Sequence, residues 1–174
     1  MITLRPTQML AQRISAIVPA APVPVELPYT DWCAHTFTAQ RYRYVILTNT
    51  FSLLSVVAPG TGLTTEDAFV RHAISAIREY LRASQRTSAL ERLVGPAGDE
   101  VRLARLSDRA VMGSMNELIY LAKLDLIEGG LSPAETSERL NEVPLSMLWK
   151  RGGAPHPGPV FDSMPADLRS RAPR

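Results

Sequence analysis

An arginine, a serine and an asparagine within eight residues form the most distinctive chemical grouping in the chain. They lie in Asp108-Arg109-Ala110-Val111-Met112-Gly113-Ser114-Met115-Asn116-Glu117. Ser114 to Glu117 reads as a capping box, in which the serine hydroxyl accepts from the third helical amide and the glutamate returns to the cap N–H. A helix start of that kind turns several backbone N–H groups outward, and such an end can hold a phosphate or carboxylate. Arg109 adds a charged fork, and the Asn116 amide falls in the expected first turn. Arg109, Ser114 and Asn116 are therefore candidate anion-binding residues. The competing reading is an ordinary cap, with Arg109 paired to an acid. The phosphate loop GxxxxGK[ST] is absent.

Asp31-Trp32-Cys33-Ala34-His35 is a second grouping. On a strand, Asp31, Cys33 and His35 share one face. A thiolate needs a nearby base, and a histidine can serve. Residues two apart on a strand are separated by roughly 7 Å of rise, too far for a direct thiol–imidazole hydrogen bond. One cysteine and one histidine also make a poor metal set, so no metal site is expected. His35 and Trp32 remain the weaker candidates. His72 and His156 have no evident partner in sequence.

A third feature is a stripe. Arg71, Arg78, Arg82 and Arg86 fall within about 80° on a helical wheel. Such a row can track a phosphate backbone, but no interleaved aromatic residues offer base stacking, and a solvated polar face explains it equally. Glu66-Asp67 and Asp99-Glu100 are adjacent in sequence, so each pair diverges and forms no catalytic carboxylate pair. No Ser-His-Asp order, GxGxxG or HExxH occurs.

The chain as a whole limits these options. It has 174 residues, enough for one domain, and a single cysteine, which excludes an internal disulfide framework. No apolar run reaches the roughly 18 residues of a membrane span, and no apolar signal core follows Met1; a cytoplasmic location is expected. Lys123 and Lys150 are the only lysines among 19 basic residues. A formal charge of +2 is too mild to imply a nucleic-acid partner, and arginine richness beside abundant alanine and proline fits GC-rich codons. No cofactor is indicated.

Elements that would position these residues follow from breakers and periodicity. Pro19, Pro22, Pro24 and Pro28 make residues 19–28 an extended connector, and prolines recur from Pro155 to Pro173. The packed domain is thereby 1–150, and 151–174 is expected to be a disordered Pro/Gly-rich tail. Ile2 to Arg5 reads as a short strand, followed by a helix through Met9, Leu10, Arg13, Ile14 and Ile17. Tyr42 to Thr48 is a strand. With Asn49-Thr50 as a turn and Phe51 to Ala58 as a second strand, it predicts a hairpin. A helix opens near Thr64, with Glu66 and Asp67 suiting its dipole. Val101 to Met112 is ambiguous, with one or two short strands. The helix behind Ser114 is apolar nearly all round and should be central to the core. Ser132-Pro133-Ala134-Glu135 is a second capping box. The expected fold is α+β: a small, mainly antiparallel sheet with a central hairpin, packed by three to five helices.

The order of Ile2-Thr3-Leu4-Arg5-Pro6-Thr7-Gln8-Met9-Leu10, Asp31-Trp32, the Tyr42 to Ala58 hairpin, Asp108 to Glu117 and Arg139-Leu140-Asn141-Glu142-Val143-Pro144 resembles a family of short, stand-alone bacterial proteins known only as a domain of unknown function. The resemblance covers about residues 1–148, and its most specific stretch runs from Arg109 to Glu117. It implies a bacterial, soluble, single-domain protein and carries over no activity, cofactor or site residue.

Two functions from different classes follow. The first is a non-catalytic binding or interaction module, because the strong signals specify fold while convergent polar groups are sparse; its partner would be a protein or a second copy. The alternative is an enzyme or toxin acting on a phosphate-bearing substrate such as RNA or a nucleotide. There, Arg109, Ser114 and Asn116 would bind phosphate and His35 would transfer a proton. That alternative requires His35 to line one pocket with Arg109 and Asn116.

Overall fold

β-Branched and aromatic residues without a breaker make β3 (Tyr42–Asn49) the middle of the antiparallel half of the sheet. It lies between β2 (Asp31–Ala39) and β4 (Ser55–Pro59), antiparallel to both. β1 (Ile2–Pro6) runs parallel to β2 on one side and to β5 (Val101–Leu103) on the other. The sheet is therefore mixed, in the order β4-β3-β2-β1-β5. The computed structural model describes residues 1–25, 27–94 and 100–164.

Seven helices complete the described chain: α1 (Gln8–Arg13), α2 (Glu66–Ala83), α3 (Thr87–Val94), α4 (Arg109–Ile127), α5 (Pro133–Leu140), α6 (Ser146–Lys150) and α7 (Pro157–Asp162). The fold is α+β, and α2 to α5 are its helices of eight residues or more. The pleat divides the core between the two faces of the sheet. On one face Leu4, Trp32, Val45 and Leu47 pack with Phe69, Ala73, Ile77 and Leu81 of α2. On the other, Cys33, Phe37, Ile46 and Val57 pack with Val111, Met115, Leu118 and Ala122 of α4.

Local chemistry sets several boundaries. The hairpin turn is longer than Asn49-Thr50, and β4 starts at Ser55 rather than Phe51. Asn49 is the reason. Its Oδ1 accepts from the Phe51 and Ser52 N–H groups at 3.2 and 2.9 Å, an Asx turn that competes with strand pairing. Its Nδ2 donates to the Pro28 carbonyl at 2.7 Å. The Ser132 capping box forms with both of its bonds, Ser132 N–H to Glu135 and Glu135 N–H to Ser132.

The expected capping box at Ser114 does not form. The start of α4 lies six residues earlier, with Asp108 rather than Ser114 as its cap, accepting from the Ala110 and Val111 N–H groups at 2.8 and 3.2 Å. Asp108 is a good cap and no residue between it and Ser114 stops a helix. A glycine at 113 is tolerated within the helix at a modest cost of about 1 kcal/mol.

The tail also departs from its expected disorder between 151 and 164. α7 docks there, and Phe161 is fully buried between Tyr29 and Trp32, at centroid distances of 5.2 and 6.1 Å. Asp162 pairs with Arg86 at 2.8 Å, and the Tyr29 hydroxyl donates to the Met164 carbonyl at 2.7 Å. Phe161 was the anchor in that stretch, outweighed in the sequence by its surrounding prolines. Residues 165–174 lie outside the described part of the chain.

Candidate functional site

The parallel register of β1 and β2 pairs Thr3 with Asp31 and Arg5 with Cys33. Alternation then sends Arg5 and Asp31 to the α4 face of the sheet. The Arg5 guanidinium grips the Asp31 carboxylate with Nε at 2.8 Å and Nη2 at 2.8 Å. Its remaining donors reach the Val23 carbonyl at 2.7 Å and the Arg105 carbonyl at 3.0 Å. Thr50 donates to Asp31 Oδ1, the oxygen that also accepts from Arg5 Nε, at 2.8 Å. One buried arginine thus ties together two strands, the proline-rich connector and the segment after β5.

Above this pair lies a cleft of about 550 Å³, with Arg5 in its lining and Val23, Thr50, Phe51, Asp108 and Arg151 around it. The Arg151 guanidinium sits 5.9 Å from the Phe51 ring centroid and also donates to the Phe51 carbonyl. Asp31 neutralises Arg5, and Asp108 already occupies the α4 N-terminus as its cap. Arg5 and the α4 N-terminus thus already face a carboxylate, while Arg151, the third positive group at this cleft, turns to Phe51. Sequence reasoning missed the Arg5–Asp31 pair. Its trace was one charged residue at the end of Ile2-Thr3-Leu4, in a segment otherwise fit for burial.

Of the three proposed anion ligands, Ser114 parts from the other two. Arg109 and Asn116 are exposed on α4, seven residues apart, while Ser114 turns inward and donates to Met147 Sδ at 3.3 Å. With Ser114 in the second turn of the helix rather than at its cap, its hydroxyl no longer lies beside free N–H groups.

His35 is half-buried between α1 and α4. Its Nδ1 makes a 2.7 Å hydrogen bond with the Thr7 hydroxyl, which also caps α1. Burial, and after it the Lys123 charge, hold the imidazole below its ordinary range. The described clefts do not bring it into one lining with Arg109 and Asn116.

Trp32, the other weak candidate, is a core residue. It is fully buried and its indole N–H donates to the Tyr29 carbonyl at 2.8 Å. Cys33 is fully buried against Met115, and burial, reinforced by the Asp31 charge, pushes its thiol up to about 12. A thiol of that kind is a small hydrophobe rather than a nucleophile. Among the described residues no group of three or more metal-binding side chains occurs.

The arginine stripe is divided. Arg86 turns to Asp162 of α7, and Arg71 pairs with Asp67 one turn away at 3.1 Å. Arg71, Arg78 and Arg82 line one groove.

The α4 helix carries the clearest surface. Val111, Met115, Leu118, Ile119 and Ala122 face the sheet. Away from the sheet, Arg109, Met112, Gly113, Asn116, Tyr120, Lys123 and Ile127 fall within about 100° of the helical wheel. Tyr120 is 64% exposed and Ile127 42%. A Cβ at Gly113 would meet nothing within 4 Å. The sequence reading makes this helix apolar nearly all round and central to the core; instead one side packs on the sheet and the other carries exposed Arg109, Asn116 and Glu117. No described helix is long and apolar enough to cross a membrane.

Residues 3–156 match the family model described as Domain of unknown function (DUF6933). No curated protein and no solved structure matches the chain.

Proposed function

The chain belongs to the DUF6933 family, and from that premise we propose that it is a non-catalytic binding module that presents the outer face of α4 to another protein chain. The observation that carries this reading is that Met112, Tyr120 and Ile127, three large side chains, are exposed on one face of a 19-residue helix, interspersed with Arg109, Asn116 and Lys123. Large apolar side chains exposed together among polar ones on one helix face mark sites of protein association. Gly113 leaves room for a partner side chain to approach the helix backbone.

The reactive groups support the same reading. Cys33 is sealed in the core, Arg5 is bound to Asp31, and the His35 Nδ1 is held by Thr7. A bacterial cytoplasmic setting belongs to this reading. It rests on the motif resemblance and on the lone reduced, buried cysteine.

The test is copurification of the tagged full-length chain from its native host, beside a Tyr120→Asp variant, with sedimentation to detect self-association. A stoichiometric partner or a dimer formed by the parent and lost in the variant is the expected result. An isolated monomer with no stoichiometric partner, or a partner that binds the variant equally, overturns the reading.

A further inference from the structure

The two edges of the sheet are treated differently. At β4, side chains of α5 and of the residue after it occupy the outward backbone groups: Asn141 bonds the N–H and C=O of Ser55, and Ser137 those of Val57. At β5 no described residue plays this part. The ladder fixes which groups are open. Ile2 N–H donates to Glu100 O and Ala104 N–H to Leu4 O. In a parallel pair with this register, Arg102 turns its backbone groups to β1, and Val101 and Leu103 turn theirs away from the sheet.

A groove of about 490 Å³ runs beside that edge. Val101 forms its strand side. Val70, Arg71, Ile74, Arg78 and Arg82 of α2 form its helix side, with Glu79 as the one carboxylate among the described residues of the lining. The Arg71–Asp67 pair is 73% and 86% exposed at its two side chains, so it contributes little and gives way to a competing carboxylate. Open backbone groups, apolar seats and a cationic wall therefore meet in one place.

We propose that this groove takes an extended acidic segment of a protein partner, which adds to the sheet as a strand beside β5 and sets carboxylates against Arg71 and Arg82. In this mode the main-chain bonds supply affinity and alternate side chains supply selectivity. Charge complementarity picks out the acidic segment. A phosphate backbone would also meet the arginines, but it has no N–H and C=O ladder to satisfy Val101 and Leu103. The surface is separate from the outer face of α4, so the two readings stand or fall independently.

The test uses the full-length chain and a fluorescein-labelled peptide of alternating glutamate and valine, followed by anisotropy. Three controls accompany it: the lysine–valine counterpart, a labelled oligothymidylate, and two peptides N-methylated on odd or on even residues. Saturable binding of the glutamate peptide is expected, weakening as salt is raised. Arg71→Glu and Arg82→Glu, both exposed and checked for folding by circular dichroism, should each weaken it by about tenfold. Only one of the two N-methylated peptides should lose binding, because a strand pairs through one edge. Absence of saturable binding, equal binding of the lysine peptide, tighter binding of the oligothymidylate, or equal binding of both N-methylated peptides each overturns the proposal.

Discussion

Asn141 and Ser55 exchange two hydrogen bonds across 86 residues of sequence: Ser55 N–H donates to Asn141 Oδ1 at 2.7 Å, and Asn141 Nδ2 donates to the Ser55 carbonyl at 2.8 Å. An asparagine side chain here imitates a neighbouring strand. Ser137, one helical turn earlier, does the same for Val57, accepting from its N–H at 2.8 Å. The two side chains close an edge that would otherwise be a template for association. Asn141 also donates to the Tyr80 hydroxyl at 2.8 Å, joining α2 to the same point.

Asn141→Ala should therefore destabilise the protein by about 3 kcal/mol, since each buried polar group left unsatisfied costs about 1–3 kcal/mol. Urea unfolding measures the loss. The variant should also associate as its concentration rises, because the β4 edge is uncovered. An unchanged urea midpoint would show that water replaces the asparagine without penalty.

Arg5→Met alone should cost about 3–5 kcal/mol, because it leaves the Asp31 carboxylate buried without its counter-charge. Arg5→Met combined with Asp31→Leu should recover much of that loss, since removing both charges removes the desolvation penalty as well. Full recovery is not expected: Arg5 also holds the Val23 and Arg105 carbonyls. The double variant should leave residues 19–25 more open to protease than the parent. Equal stability of single and double variants would sink this account of the pair.

The sequence makes some of this architecture legible and hides the rest for physical reasons. β3 and α2 are readable because their periodicity is local and strong, and the Ser132 box because its two bonds span three residues. The parallel pairing of β1 with β2 and β5 depends on contacts roughly 30 and 100 residues apart, which no local pattern encodes. Phe161 sits among prolines in the sequence, and its pocket between Tyr29 and Trp32 exists only after folding. Ser114 misled because a cap pattern is also compatible with a helix interior once a better cap precedes it. Among the site candidates, only residue types could be read, not convergence. Arg109 and Asn116 do share a helix face, but Ser114 and His35 belong to other environments.

His35 gives the protein a pH-dependent stability term. The unfolded chain holds this imidazole near 6.5, and the folded chain holds it lower through burial and the Lys123 charge. Between those values the unfolded state binds more protons, so stability rises with pH across that window. Acidification from about pH 7 through 6.5 and below should therefore weaken the fold, and the slope should vanish once both states are protonated. His35→Gln retains an acceptor for Thr7 and should flatten the dependence. Urea midpoints measured from about pH 7.5 down to about pH 5 would refute the assignment if parent and variant gave parallel curves.

Phe161→Ala should cost about 3–5 kcal/mol, the usual range for emptying a buried aromatic site. Arg86→Ala, which removes a partly exposed ion pair to Asp162, should cost about 1 kcal/mol or less. The contrast distinguishes a strap held by core packing from one held by charge. Thermal unfolding of the two variants decides it, and a larger loss for Arg86→Ala would reverse the assignment.

The start of α4 can be located by two alanine substitutions. Asp108 accepts two backbone N–H groups that have no helical partner, so Asp108→Ala should cost about 1 kcal/mol, and up to about 2. Ser114 lies in the second turn, where the backbone N–H groups already have helical acceptors and its hydroxyl donates to the soft sulfur of Met147. Alanine has the higher helix propensity, so Ser114→Ala should leave stability within about 0.5 kcal/mol of the parent, or raise it. A helix starting at Ser114 requires the reverse ranking, because the serine would then be the cap and Asp108 a loop residue. Arg109→Ala should be near neutral in both cases, as its side chain is exposed. Guanidinium unfolding of the three variants settles the ranking, and a loss at Ser114 exceeding that at Asp108 would place the helix start where the capping pattern alone had put it.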